Sequence, residues 1–187
     1  DAQANAAVVD LLCAISETPG AERNLLQFAV DTIMNTTSTY NAIKIIHSLC
    51  KDPKNVPIFN QILQDDILES NDRSKLQQLA KVLPLLNSNT LTHMDVLLQQ
   101  LLDSGVASIL DDSFLTIVHH CLCHTHLSKT ISHDTVRSVL QGITDQSKEK
   151  SQMLKFKILS AAVPLFPELA SEYAAVIEEG TRSASKV

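Results

Sequence analysis

The residues best suited to chemistry form one run, His119-His120-Cys121-Leu122-Cys123-His124-Thr125-His126, with His133-Asp134 beyond it. On a helix His119 and Cys123 lie four apart, as do His120 and His124, so either pair offers two ligands to zinc on one face. A structural zinc takes four. Neither Cys13 nor Cys50 has a partner cysteine two residues away. Cys121 falls on an apolar stripe with Val118 and Leu122, where a thiol serves as a small core residue. The run therefore reads as a helix end bearing surface histidines, and no metal is expected.

Other catalytic arrangements lack their parts. A nucleophilic cysteine or serine needs a nearby base and an oxyanion site at a glycine-rich turn or helix start. The chain has four glycines and no Gly-x-Ser-x-Gly elbow. It carries neither a Gly-x-Gly-x-x-Gly motif nor a P-loop, so no nucleotide cofactor is implied. The carboxylate pairs Asp65-Asp66, Asp111-Asp112 and Glu178-Glu179 are adjacent in sequence. Adjacent helical residues point about 100° apart, which suits solvated helix caps better than an acid/base pair. The expectation is a binding protein that is not an enzyme and uses no cofactor.

The elements that would position any site are helices. The 187 residues are 44% hydrophobic and 19% charged, with no tryptophan and two tyrosines, a composition that excludes a disordered chain and favours helix over sheet. Such a length can bury roughly two-thirds of its unfolded surface. Apolar residues recur three and four apart from end to end, and polar or Pro/Gly breaks divide them into ten segments. The first holds Val8, Leu11, Leu12 and Ile15. The second holds Leu25, Leu26, Ala29, Ile33 and Met34, and the third, capped by Ser38 or Thr39, holds Ile43, Ile46, Leu49 and Cys50. Ile58, Phe59, Ile62 and Leu63 make the fourth. The fifth contains Leu76, Leu79, Ala80, Leu83 and Leu86, with a bend at Pro84. Met94 to Leu102, Phe114 to Leu122, Val136 to Ile143, Leu154 to Ala162 and Leu169 to Ile177 complete the series. Residues 1–179 read as a single helical repeat domain and 180–187 as a flexible tail.

Spacing distinguishes a stacked array from a compact bundle. The odd-numbered segments centre near Leu12, Ile46, Ala80, Val118 and Ile158, about 34, 34, 38 and 40 residues apart, the period of helical solenoid repeats. Val82-Leu83-Pro84-Leu85-Leu86 and Ala162-Val163-Pro164-Leu165-Phe166 repeat a pattern at about twice that period. In Ile45 through Phe59 an apolar helix ends, a short polar turn containing Asn55 follows, and a new apolar helix starts. Over residues 8–66 the chain resembles the armadillo family, whose repeat junctions have this form. Leu11 to Ile15 followed by Glu22 to Leu26 is a weaker instance. The C-terminal half lacks the glycine that marks the bend between the first two armadillo helices and is equally HEAT-like. The resemblance implies a right-handed α-solenoid of about ten helices that holds another protein. The Trp/Asn ladder with which armadillo import receptors grip basic peptides is missing, so import cargo is not expected.

Charge then suggests a face. With 15 Lys and Arg against 21 Asp and Glu, the net charge is −6, which disfavours nonspecific nucleic-acid binding by the whole surface. Lys44, Lys51, Lys54, Arg73, Lys75, Lys81, Lys129, Lys148, Lys150, Lys155 and Lys157 lie in or beside odd-numbered segments, while Asp31, Asp65, Asp66, Glu69, Asp95 and Asp103 lie in or beside even ones. In an armadillo-like array the odd helices line the concave groove. Asn41, Lys44, Gln78, Lys81, His119, His120 and Lys155 fall off the apolar stripes and are the expected peptide-binding residues, facing an acidic or amphipathic segment of a partner protein. RNA or DNA binding along the same ridge is the alternative; it calls for base-stacking aromatics, and Phe and Tyr mostly sit on core stripes. Apolar end faces of a solenoid would favour self-association or flanking repeats. No apolar run is long enough to span a membrane, and cysteines within helical stripes read as reduced, buried thiols of a cytoplasmic or nuclear protein.

Overall fold

The computed structural model describes residues 20–36, 39–70, 72–86, 88–105, 107–108, 111–124, 126–143 and 149–178. Among them the second to tenth segments form helices: α1 (Ala21–Asn35), α2 (Tyr40–Leu49), α3 (Asn55–Ser70), α4 (Arg73–Val82), α5 (Met94–Asp103), α6 (Asp112–Cys123), α7 (His133–Gly142), α8 (Glu149–Ala162) and α9 (Glu168–Glu172). Residues 174–178 are helical beyond the turn at Tyr173. No strand occurs among the described residues. The first segment and the tail 180–187 lie outside them, as do Ser38 and Lys148.

Local chemistry accounts for several boundaries. Asp72 caps α4 by accepting the Ser74 N–H at 2.8 Å, and Asp111 caps α6 by accepting those of Ser113 and Phe114 at 2.8 and 3.3 Å. Ser132 does the same for α7, accepting from Thr135 N–H at 3.1 Å. Each side chain satisfies amides that the first helical turn leaves without partners. Thr39 occupies the N-cap position of α2 without a side-chain bond. At Pro84 α4 gives way to a 3-10 turn, Leu83–Leu85, because proline has no N–H to continue the ladder. Gly105, at φ 74°, turns the chain after α5 in a left-handed conformation that a side chain disfavours. Two further 3-10 turns, Ser88–Thr90 and Leu127–Thr130, have no counterpart in the apolar pattern.

Packing follows chain order. Helix α1 contacts α2, α3 and α4; α4 contacts α6, and α6 contacts α8; α3 contacts α5, and α7 contacts α8. One continuous core runs from Leu26 to Leu169. Leu26, Ile33, Ile46, Phe59, Leu79, Phe114, Val118 and Ile158 are fully buried, each a residue of an expected stripe. Burying one such side chain contributes on the order of 1.5–3 kcal/mol.

Polar contacts between helices have a characteristic reach. Asn60 donates to the Thr90 carbonyl across 30 residues and accepts the Thr92 N–H across 32. Gln64 bonds Gln100 across 36, and Asp95 accepts from Ser132 N–H across 37 and from the Thr135 hydroxyl across 40. Ser151 donates to Asp112 across 39 residues, and Arg137 bonds Glu172 across 35. These side chains join an element to the second one after it and reproduce the period seen in the apolar stripes.

Candidate functional site

The seven expected site residues divide by what their side chains touch. Lys44 is exposed, its ammonium 4.5 Å from the Tyr40 ring centroid, and Asn41 is half-buried on the same helix. Lys81 is exposed on α4; His119 and His120 are half-buried on α6. The other two depart from expectation. Gln78 donates through Nε2 to the carbonyls of Ile33 and Thr36 at 2.8 and 3.1 Å. Lys155 is buried, and its Nζ donates to the Ile143 carbonyl at 2.6 Å. Both close the C-terminal end of another helix, α1 and α7 respectively, where carbonyls have no intrahelical partner. They are structural, and the face they were expected to share lacks them.

The basic set also shrinks. Lys75 pairs with Asp66 at 2.6 Å, Lys54 with Asp52 and Glu22 at 3.1 and 3.6 Å, and Lys150 with Asp112 at 3.3 Å. Asp66 is thereby largely enclosed rather than a solvated cap, its side chain 12% exposed. Arg23 on α1, Lys129 in the turn after α6, and Lys44, Lys51, Arg73, Lys81 and Lys157 are exposed and form no ion pair with another described residue.

Three of these exposed cations lie beside hollows on the α4, α6 and α8 row. Arg73, Gln77, Lys81, Ser113, Thr116 and Lys150 border a groove of about 550 Å³ at the N-terminal end of α6, together with Ala80, Ser108, Asp111 and Asp112. Toward the other end of α6, His119, Cys123, Phe156, Lys157, Ser160 and Ala161 line a shallower hollow of about 380 Å³. Arg73, Gln77, Phe156 and Lys157 were not among the expected site residues. A signal for Phe156 was present, since it falls between the α8 stripe positions Leu154 and Ile158. Phe28, Tyr40 and Phe156 are exposed, whereas Phe59 and Phe114 are buried and Phe166 and Tyr173 pack against the core.

Both histidine pairs form contacts. His119 Nε2 is 3.4 Å from Cys123 Sγ, and the His120 and His124 rings are 4.9 Å apart between centroids. Among the described residues no third His, Cys, Asp or Glu joins either pair in a metal-binding group. Partial burial, with Lys157 adding repulsion, lowers the His119 pKa; partial burial, then His124 and His119, lowers that of His120. Each shift disfavours the charged imidazolium. His133 stands on α7, 3.6 Å from both Asp134 and Glu168 and against the Phe166 ring. Burial pushes the thiols of Cys50 and Cys121 up to about 11 and about 12. Cys123 is exposed, contrary to the reading of every cysteine as a core residue, and Cys13 lies outside the described residues.

No helix among the described residues is long and apolar enough to cross a membrane. No protein-family model, curated protein sequence or solved structure matches the chain.

Proposed function

We propose that the chain is a protein-binding scaffold, a right-handed α-solenoid of armadillo or HEAT type whose α2, α4, α6 and α8 surfaces receive an acidic or amphipathic segment of a partner. The observation that carries the reading is the distribution of free charge: Lys44, Lys51, Arg73, Lys81 and Lys157 point outward from or beside these helices, unpaired among the described residues, while Lys75 and Lys155 are taken up internally and Lys54 is paired at the surface. Unpaired cations around a groove raise the encounter rate and select for carboxylates. The 30- to 40-residue reach of the contacts from Asn60 and Asp95 supports a stacked array, in which each unit touches its neighbours. In this reading the protein binds without catalysing a reaction, in the cytoplasm or nucleus, within a multiprotein complex.

Reversing Lys44 and Lys81 together to glutamate tests the face. Both are exposed, so the fold should persist, with an unchanged circular dichroism spectrum. Partners captured by the wild-type chain and identified by mass spectrometry should bind the double variant at least about tenfold more weakly. The difference should narrow in high salt, because exposed charges are screened beyond about 10 Å at 0.1 M. Equal capture by a folded double variant would refute this face as the binding surface. A salt-sensitive gain for unstructured RNA, lost in the same variant with no protein captured, would support the nucleic-acid alternative. Small-angle scattering tests the array: a globular chain of this length has a radius of gyration of about 16 Å, and a solenoid should exceed it.

A further inference from the structure

The two hollows of the α4, α6 and α8 row lie in sequence along one valley. Thr116 lines the first and Cys123 the second, so two turns of α6, about 10 Å, separate them. Lys150 and Lys157 mark the same progression on α8. The ends differ in chemistry. At the first, Asp111 and Asp112 are already engaged: Asp111 holds the amides of Ser113 and Phe114, and Asp112 holds Ser151 and Lys150. The charges left to face a ligand are Arg73 and Lys81. At the second, Phe156 is 36% exposed, with Met153 nearby on α8 at 52%, and Lys157 stands at the edge. An exposed aromatic on a shelf with a cationic rim offers an anchor site for an apolar side chain.

Taking the scaffold reading as its basis, we propose that this valley seats an extended peptide segment of a partner protein, with paired carboxylates between Arg73 and Lys81 and a large aliphatic or aromatic side chain on Phe156. The hollows are offset by about 10 Å along α6, and the anchors also stand on different helices, α4 and α8, so at about 3.3 Å per residue they lie at least about three residues apart in the segment. Charge complementarity selects an acidic segment over a basic one, and the apolar shelf excludes a purely acidic tail. Gln77, Thr116 and Ser160 supply hydrogen-bonding groups along the path.

A random peptide library displayed on phage and panned against the whole chain tests the seat. Enriched peptides should carry two acidic residues and, at least about three positions away, a large apolar one. Labelled copies should lose at least about tenfold in affinity with Lys81→Glu and with Phe156→Ser, and only the first loss should shrink in salt. Both residues are exposed, and unchanged melting curves confirm that the variants fold. Enriched peptides without acidic residues, peptides that bind both variants like wild type, or no enrichment over a chain carrying Lys81→Glu and Phe156→Ser together would each overturn the seat. So would a wild-type dimer that Phe156→Ser converts to monomer, because a second copy would then occupy the shelf. Partner capture that depends on Lys44 and Lys81 but not on Phe156 would remove the seat and leave the scaffold reading standing.

Discussion

The polar residues of α3, α5 and α7 and those of α4, α6 and α8 are used differently. Along the first set Asn60, Gln64 and Asp95 reach past the next helix and bond at or before the one after it. Their charges and amides are satisfied within the fold and hold neighbouring units in register. Along the second set Lys75, Gln78, Lys150, Ser151 and Lys155 are likewise bonded within the fold, but Arg73, Gln77, Lys81 and Lys157 face outward with no such partner. A polar group already bonded inside the protein has less to offer a ligand, since binding must first break that bond. The contrast separates a surface that organises the chain from one left free to bind.

The largest expected effect tests the core beneath the free surface. Leu79 is fully buried on α4, and Leu79→Asp places an unpaired charge there. It should destabilise the protein by about 4 kcal/mol, lowering the melting temperature by about 10 °C. A melt within a few degrees of wild type would show that α4 does not pack as described.

A smaller effect should separate two lysines on one helix. Lys155→Met leaves the Ile143 carbonyl without its donor and should cost about 1–3 kcal/mol, whereas Lys157→Met should change stability by less than about 0.5 kcal/mol. Denaturant melts of the two variants side by side provide the measurement. Equal values would erase the distinction between structural and free cations.

The smallest effect is a pH dependence of opposite sign for stability and binding. His47, His119 and His120 have lowered pKa values, with burial the first cause in each. In the unfolded chain histidine titrates near its ordinary value of about 6.5. Between that value and the lower folded ones the unfolded state binds more protons, so stability is greatest above about pH 6.5 and is lost as pH falls through the folded values. Melting temperature should decline modestly from pH 7.5 to pH 5.5, less so in the His119→Gln/His120→Gln double variant. Affinity for an acidic peptide should rise over the same range as imidazolium charge develops beside Lys157. A flat melting profile, or affinity that falls with stability, would remove His119 and His120 from the binding face.

Features decided within one or two helical turns were legible in the sequence. The apolar stripes foretold Leu79, Phe114 and Ile158 in the core, the polar turns foretold the starts of α4 and α6, and the i, i+4 spacing foretold the His119–Cys123 and His120–His124 contacts. Each depends on backbone geometry that repeats every 3.6 residues. The periodicity of the odd-numbered segments likewise matches the reach of Asn60 and Asp95. Tertiary structure alone decided which off-stripe polar side chains remain free. Lys155 and Lys157 are near neighbours of the same residue type, yet one meets the end of α7 and the other meets solvent. Gln78 finds the end of α1, more than 40 residues away in the chain, and Asp66 finds Lys75 across a turn. A side chain's own spacing says which way it points from its helix; what it meets is set by the position of another helix end, and that position exists only once the core has assembled.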